Sequence, residues 1–279
     1  MDKEKVLIVG LGEVGRPLFE LVRESGKFSV YALDVDEAKM REVEQNPSSL
    51  PSEVSVMHVC IPYKDANFQD VVANYAKRFR PKLVIINSTV APGTTMALHK
   101  CCNCLVAHSP VRGVHKNLEC MKQELKRWKK YVGGADAEAG EAASGHFKKI
   151  GLKTKMLRSC TETELAKLFE TTYRAWMIAC FQEMHRISRS FEANFEEVVD
   201  FLEDTHRVRL DRPIMFPGVI GGHCLIPNTE LLLKGYDSEF LRLILKSNEK
   251  RKKEVEDRSV RSEVEKVRKM AEALEKRQN

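Results

Sequence analysis

Five stretches of the 279-residue chain carry side chains whose types could do chemistry. Gly10-Leu11-Gly12-Glu13-Val14-Gly15 follows the apolar run Val6-Leu-Ile-Val9 and leads into a helix-like segment, 17–24. In a phosphate-binding βα unit Gly10 permits the tight turn and Gly12 lets a pyrophosphate approach the backbone. Gly15 lets helix and strand pack closely, and the helix N-terminus offers amides to the anion. A second apolar run, 28–33, ends in Asp34, near the roughly 20-residue offset of a carboxylate that accepts both ribose hydroxyls. That carboxylate repels a 2′-phosphate, so the expected cofactor is NAD rather than NADP. Cys101-Cys-Asn-Cys104 offers three thiols without a fourth ligand at zinc spacing and reads as buried or strand-edge cysteine, so no metal is expected. In the loop 108–115, Arg112 suits an acidic ligand group. His115 there and His223 in Gly221-Gly-His-Cys224 titrate near neutrality and are candidate acid/base groups.

These residues need a scaffold, and the chain supplies the pattern of one. Strand-like runs at 6–9, 28–33, 54–61, 83–86, 105–107 and 131–134 alternate with helix-like segments to about residue 157. Such alternation predicts an α/β fold with a doubly wound, parallel, Rossmann-type sheet, whose ligands bind at the carboxyl ends of the strands. Ile61-Pro62-Tyr63 and Asn87-Ser88-Thr89 lie at such ends and should line the cofactor cleft. From 159 the character changes to a smaller all-helical domain. Residues 161–188 read as one long helix opening with a Thr161-x-x-Glu164 capping box, and its apolar stripe is too wide for a lone surface helix. The expected domains are 1–158, 159–248 and a charged helical tail, 249–279. In the tail Glu254 with Arg258, Glu265 with Lys269 and Glu272 with Lys276 stand at i,i+4 spacing. Val260, Val264, Val267, Ala271 and Leu274 follow an a/d pattern too short for a coiled coil, so the tail reads as docked or frayed.

Bulk composition narrows the classes. A net charge of +6 is interleaved with glutamates rather than gathered on a basic face, which argues against a nucleic-acid partner. No apolar run reaches membrane-spanning length and the N-terminus opens into a strand, so neither a membrane partner nor a signal peptide is expected, and the expected location is the cytoplasm. The eight cysteines lack the spacing of a secreted framework.

Gly10–Gly15, Asn87–Thr95, Ser109-Pro110, Glu164-Leu-Ala-Lys167 through Tyr173, and Gly221–Cys224 resemble, in the same order, segments of the UDP-glucose, GDP-mannose and UDP-N-acetylmannosamine dehydrogenases. The resemblance covers most of residues 1–235. It implies an alcohol oxidised twice with two NAD, through an aldehyde and a cysteine thioester that water hydrolyses. Cys224 resembles the nucleophile, Lys167 the lysine that stabilises the oxyanion, and Thr89 the threonine that positions water. The family's acids after Ser-Pro are Val111 and His115 here. The asparagine after the lysine is Thr171, and the aspartate after the cysteine is Asn228, an amide that takes no proton at neutral pH. Thr171 and Asn228 still mark the substrate-binding positions. The family's C-terminal nucleotide-sugar domain has no counterpart in the tail, which implies a truncated member.

The leading expectation is therefore an NAD-dependent oxidoreductase acting on a hydroxyl of a sugar-like or nucleotide-sugar substrate, dimeric through the 161–188 helix. Alternatives are a catalytically silent NAD-binding scaffold and a single-step hydroxy-acid dehydrogenase that uses Lys167.

Overall fold

The computed structural model describes residues 3–278 apart from 45, 47, 48, 64–66 and 114, with side chains to residue 272. Leu274 and the Glu272–Lys276 pair thus lie outside the described side chains. The chain divides into two compact units, Met1–Lys167 and Leu168–Asn279.

The first unit alternates β1 (Lys5–Val9), α1 (Gly15–Glu24), β2 (Ser29–Leu33), α2 (Glu37–Glu42), β3 (Val56–Val59), α3 (Phe68–Phe79), β4 (Leu83–Ile86), α4 (Thr94–Cys101), β5 (Leu105–His108), α5 (Leu118–Arg127), β6 (Lys130–Gly134), α6 (Ala137–Ile150) and β7 (Thr154–Met156). The sheet order is β2-β1-β3-β4-β5-β6-β7. Strands β1, β3 and β4 are buried on both faces, which is why they read as nearly unbroken apolar runs. One face packs Leu18, Phe19 and Val22 of α1 with Met121 and Phe147; the other packs Phe68, Val72 and Phe79 of α3. Strand order reverses between β1 and β3, so the Gly10 turn and Cys60-Ile61 leave adjacent strands at one crevice.

One pairing departs from the parallel pattern. β6 runs antiparallel to β5, with Ala107 opposite Gly134 and His108 opposite Gly133. Alternation alone does not set the direction of a strand near a sheet edge. The consequence is positional: β6 begins where β5 stops, so Lys130 lies beside the Ser109-Pro110 turn.

Helix α7 (Cys160–Ser190) contributes its first two turns to the first unit. Its cap is not the expected Thr161/Glu164 pair. The Ser159 hydroxyl oxygen accepts from Thr161 N–H at 3.2 Å and the Ser159 hydroxyl donates to the Glu162 carboxylate, because Glu164 is taken by another helix.

The second unit comprises the rest of α7 with α8 (Phe195–Arg209), α9 (Leu225–Gly235), α10 (Glu239–Glu254) and α11 (Arg258–Gln278). Ala175, Ile178, Ile220 and Ile244 form one core cluster; Phe181, Phe195, Val199 and Val267 form another. Val260, Val264 and Val267 are buried, so the tail helix docks. The tail breaks at 255–257, where Asp257 accepts from the Ser259 amide and hydroxyl, both at 2.7 Å. That break removes the expected Glu254–Arg258 pair; Glu254 instead accepts from Nε of Arg186 at 2.8 Å. Glu265 and Glu272 both engage Arg268, the former at 3.8 Å. Among the described residues no helix is long and apolar enough to cross a membrane.

Candidate functional site

The glycine turn is built from both ends. Gly10 sits at φ +90° and donates its N–H to Leu33 O at 2.7 Å, and a Cβ there would lie 2.8 Å from Cys60 O. A Cβ on Gly15 would lie 1.7 Å from Gly10 O, whereas one on Gly12 would meet nothing within 4 Å. Gly10 and Gly15 are therefore required by the fold, and Gly12 leaves open space over the turn. Val14 precedes α1 with no side-chain cap, and the first helical turn carries no acid, which leaves its amides available to an anion. Asp34 sits below: Oδ2 accepts from Leu11 N at 2.6 Å and Oδ1 from Asp36 N at 2.9 Å. Each oxygen keeps acceptor capacity beyond those bonds.

At the ends of β3 and β4 the Ser88 hydroxyl donates to Ile61 O at 2.6 Å, tying Ile61-Pro62 to Ser88-Thr89. Thr89 is half-buried and Pro62 exposed. Beneath them lies a buried polar chain. Asn87 Nδ2 donates to Nδ1 of His58 at 3.1 Å, which leaves the His58 proton on Nε2 to be donated to Nε2 of His146 at 2.8 Å. Burial holds both imidazoles neutral, His58 well below its ordinary value and His146 at about 4.

His108, at the end of β5, is fully buried and is pulled down to about 3, chiefly by burial. The neutral ring donates from Nε2 to Ser88 O at 3.1 Å and accepts at Nδ1 from the Thr163 hydroxyl at 2.8 Å. One residue on, Glu164 is also fully buried. Its Oε2 accepts from Gly93 N at 2.7 Å, and its Oε1 from Thr95 N at 2.9 Å and the Thr95 hydroxyl at 2.6 Å. The carboxylate thereby caps α4, whose own N-cap, Gly93, has no side chain to do so. Burial raises the Glu164 acid, opposed by these bonds from Thr95 and Gly93. Together Thr163 and Glu164 fasten the helical turn that bears Lys167 to the loops that bear Ser88 and Thr89.

Cations gather at the end of β5. Buried Lys130 donates to Ser109 O at 2.7 Å and Pro110 O at 3.1 Å, and burial with the Lys167 and Arg112 charges pushes it down to about 7. Arg112 donates to Lys129 O at 3.1 Å, its guanidinium 4.9 Å from both the Trp128 and Tyr131 rings. Such a cluster favours an oxyanion, phosphate or carboxylate. His115 is elsewhere: its Nδ1 lies 3.2 Å from Glu13 Oε2, on the glycine turn.

In the second unit Cys224 is exposed and precedes the first residue of α9. An anion developing on its sulfur meets the positive end of that helix. His223 beside it is exposed. Thr171 and Asn228, two of the departures from the family pattern, pair with each other: Asn228 Nδ2 donates to the Thr171 hydroxyl oxygen at 3.0 Å, and that hydroxyl donates to Leu168 O.

Sequence reasoning passed over His108, Thr163 and Lys130 and read Glu164 as a local cap. His108 and Lys130 did stand beside quoted motifs, at the end of one strand and the start of another. Their burial, which gives them their character, has no local signature.

Residues 161–250 match the central domain of the UDP-glucose/GDP-mannose dehydrogenase family. A UDP-N-acetyl-D-mannosamine dehydrogenase of Methanocaldococcus jannaschii is 25% identical over 261 residues, covering 80% of this chain and 60% of its own length. A UDP-glucose 6-dehydrogenase of Campylobacter jejuni is 23% identical, with 89% of this chain and 73% of its own length covered. Among solved structures, UDP-D-ManNAc dehydrogenase from Pyrococcus horikoshii aligns with a TM-score of 0.71 at 21% identity, over 88% of this chain and 68% of that one. Mycobacterium tuberculosis 3-hydroxyisobutyrate dehydrogenase aligns with a TM-score of 0.65 at 14% identity, over 96% of this chain and 99% of that one. The structural likeness establishes the fold, and the chain spans 60% of the length of the M. jannaschii relative.

Proposed function

We propose that the chain is a member of the UDP-glucose/GDP-mannose dehydrogenase family, whose central domain residues 161–250 match, and that it is an NAD-dependent oxidoreductase acting on a hydroxyl of a nucleotide-linked or sugar-like substrate. NAD suits the first unit because the space over Gly12 is open, the α1 amides are uncapped and Asp34 keeps acceptor capacity for a ribose. Gly10–Gly15, Asp34, Ile61, Pro62, Ser88 and Thr89 would hold it, and when bound it would accept a hydride from the substrate carbon.

The observation that carries the reading is the pair of links from the Lys167 turn, Glu164 to Gly93 and Thr95 at the start of α4 and Thr163 through His108 to Ser88 O. Lys167 offers a cation to the substrate oxygen as negative charge develops there. Arg112 and Lys130 add positive potential for a phosphate or carboxylate of the substrate. Cys224 is the proposed nucleophile toward an aldehyde: its sulfur would add to the carbonyl carbon to give a hemithioacetal, loss of a second hydride to a second NAD and of the hydroxyl proton would give the thioester, and water would cleave it to the acid and the free thiol. Asn228 is an amide paired with Thr171, so it takes no proton from that water; His223, next to the nucleophile, is the proposed base. His115, beside Glu13, is assigned to the glycine turn rather than to the chemistry. The apolar stripe of α7 (Phe169, Tyr173, Trp176, Ile187) is the proposed homodimer surface.

A second reading, a single oxidation of a hydroxy acid in which NAD would take the hydride and Lys167, without the cysteine, would handle the hydroxyl, is favoured by the amide at 228 and by the near-complete mutual coverage with the hydroxyisobutyrate dehydrogenase fold. Calorimetric titration with NAD and NADP comes first, followed by turnover of UDP-N-acetylmannosamine, UDP-glucose, GDP-mannose and 3-hydroxy acids. NAD binding with acid formation that is lost in both Lys167→Ala and Cys224→Ala supports the two-step reading. Activity lost only in Lys167→Ala supports the single step. Absence of nicotinamide binding overturns both and leaves a scaffold.

A further inference from the structure

Residues 210–224 join α8 to α9 without helix or strand. The backbone donors and acceptors of such a segment have no ladder to satisfy them, so side chains must supply partners. Two side chains do so. Gln182 of α7, fully buried, donates from Nε2 to Gly218 O at 2.7 Å. Asn248 of α10, 1% exposed, takes Ile220 on both sides: its Oδ1 accepts from Ile220 N at 2.7 Å and its Nδ2 donates to Ile220 O at 3.2 Å. A carboxamide that binds the N–H and the C=O of one residue copies the paired bonds of a neighbouring strand, and it fixes that residue's backbone in direction as well as in place. Ile220 is also where the segment leaves the interior. Its side chain packs with Ala175, Ile178 and Ile244, whereas Gly221, Gly222, His223 and Cys224 are exposed. Past Cys224 the chain is held again: Asn228 N donates to Cys224 O at 3.0 Å and its side chain to Thr171. The exposed span thus hangs between two buried amides, Asn248 and Asn228. Two adjacent glycines, Gly222 at φ +77°, give the span little stiffness of its own.

We propose that Asn248 is the positioning residue for Cys224, holding its thiol at the first turn of α9; its bearing on turnover rests on the reading of Cys224 as nucleophile. With the Ile220 backbone fixed, the exposed span starts from one place, and the sulfur stays at the positive end of α9 rather than swinging into solvent. Loss of the carboxamide frees that start while leaving the Thr171–Asn228 tie intact. The cost then falls on the approach of the sulfur to an aldehyde carbon, and cofactor binding, a property of the first unit, is spared.

The first measurement needs no variant. In hydrogen exchange on the parent chain the Ile220 amide should be protected while those of Gly221, Gly222 and His223 exchange rapidly; an Ile220 amide as fast as that of Gly221 would overturn the assignment. In Asn248→Ala, alkylation of Cys224 by iodoacetamide should slow about threefold, while Cys180, exposed on α7, reacts as in the parent. Asn248→Asp, equal in size but without the Nδ2 donor, should slow it as well. With UDP-N-acetylmannosamine as substrate, kcat of Asn248→Ala should fall about tenfold at unchanged KM and unchanged NAD affinity. Equal slowing of both thiols, or an unchanged Cys224, would overturn the assignment. Turnover that survives Cys224→Ala would instead remove the nucleophile reading, and exchange and alkylation would still decide whether Asn248 places Cys224.

Discussion

Gly12 and Gly15 stand three residues apart in one turn and answer to different constraints. A Cβ at 15 collides with Gly10 O at 1.7 Å, while one at 12 meets open space. Gly15→Ala is expected to lower the melting temperature and abolish NAD binding together. Gly12→Ala should melt as the parent and lose affinity for NAD at least tenfold in calorimetry, since only a ligand would feel the added carbon. Equal melting losses in both variants would contradict this division. Protons act at the same scale. His58, His108 and His146 all have folded-state values below 6.5, two of them at about 3 and about 4. The unfolded chain therefore takes up protons that the folded state refuses. The stability they contribute is whole above about pH 6.5 and is lost as pH falls toward the folded values, at up to about 1.4 kcal/mol per pH unit for each histidine. Urea midpoints measured at pH 7.5, 6 and 5 should fall in that order; a flat profile would count against neutral buried imidazoles.

Glu164 joins two elements rather than capping its own. Glu164→Gln places an amide N–H₂ against backbone N–H donors and removes charge-assisted bonds, so a stability loss of about 1–2 kcal/mol is expected. Turnover should fall more than NAD affinity does, because the turn that loosens carries Lys167 and not the glycine turn. The sequence around α7 holds two overlapping capping patterns, Ser159-x-x-Glu162 and Thr161-x-x-Glu164, and nothing local chooses between them. The choice is made by Gly93 and Thr95, some seventy positions earlier in the chain. The width of the α7 stripe, by contrast, was plain in the sequence. Tyr173 is 64% exposed and Ile187 51% exposed on that helix. Replacing both with Arg should shift a dimer to monomer in sedimentation velocity without changing the far-ultraviolet circular dichroism; an unchanged sedimentation coefficient would remove α7 as the dimer surface.

At the scale of the whole molecule the two units are held by different means. The first is an apolar sheet core. The second is tied through Arg251, which is wholly buried and donates to Gln182 O at 2.8 Å and to Nδ1 of His185 at 3.1 Å, while His185 Nε2 donates to Glu263 of α11 at 2.9 Å. Arg251→Ala leaves these acceptors unsatisfied and should cost about 3 kcal/mol in the second unit, read as lost helical protection in hydrogen exchange. NAD binding by the first unit should persist. By itself the sequence determined what period and composition encode: the strand–helix alternation, the glycine turn with its carboxylate, and the order of family motifs, all properties of residues near one another in the chain. Only the tertiary structure decided the direction of β6, the partner of Glu164, the His115–Glu13 pairing, the mutual satisfaction of Thr171 and Asn228, and the neutral state of the buried histidines. Each of these depends on which groups meet after the backbone has folded and water has been excluded, and a charge or a hydrogen bond takes its value from that surrounding rather than from its neighbours in sequence.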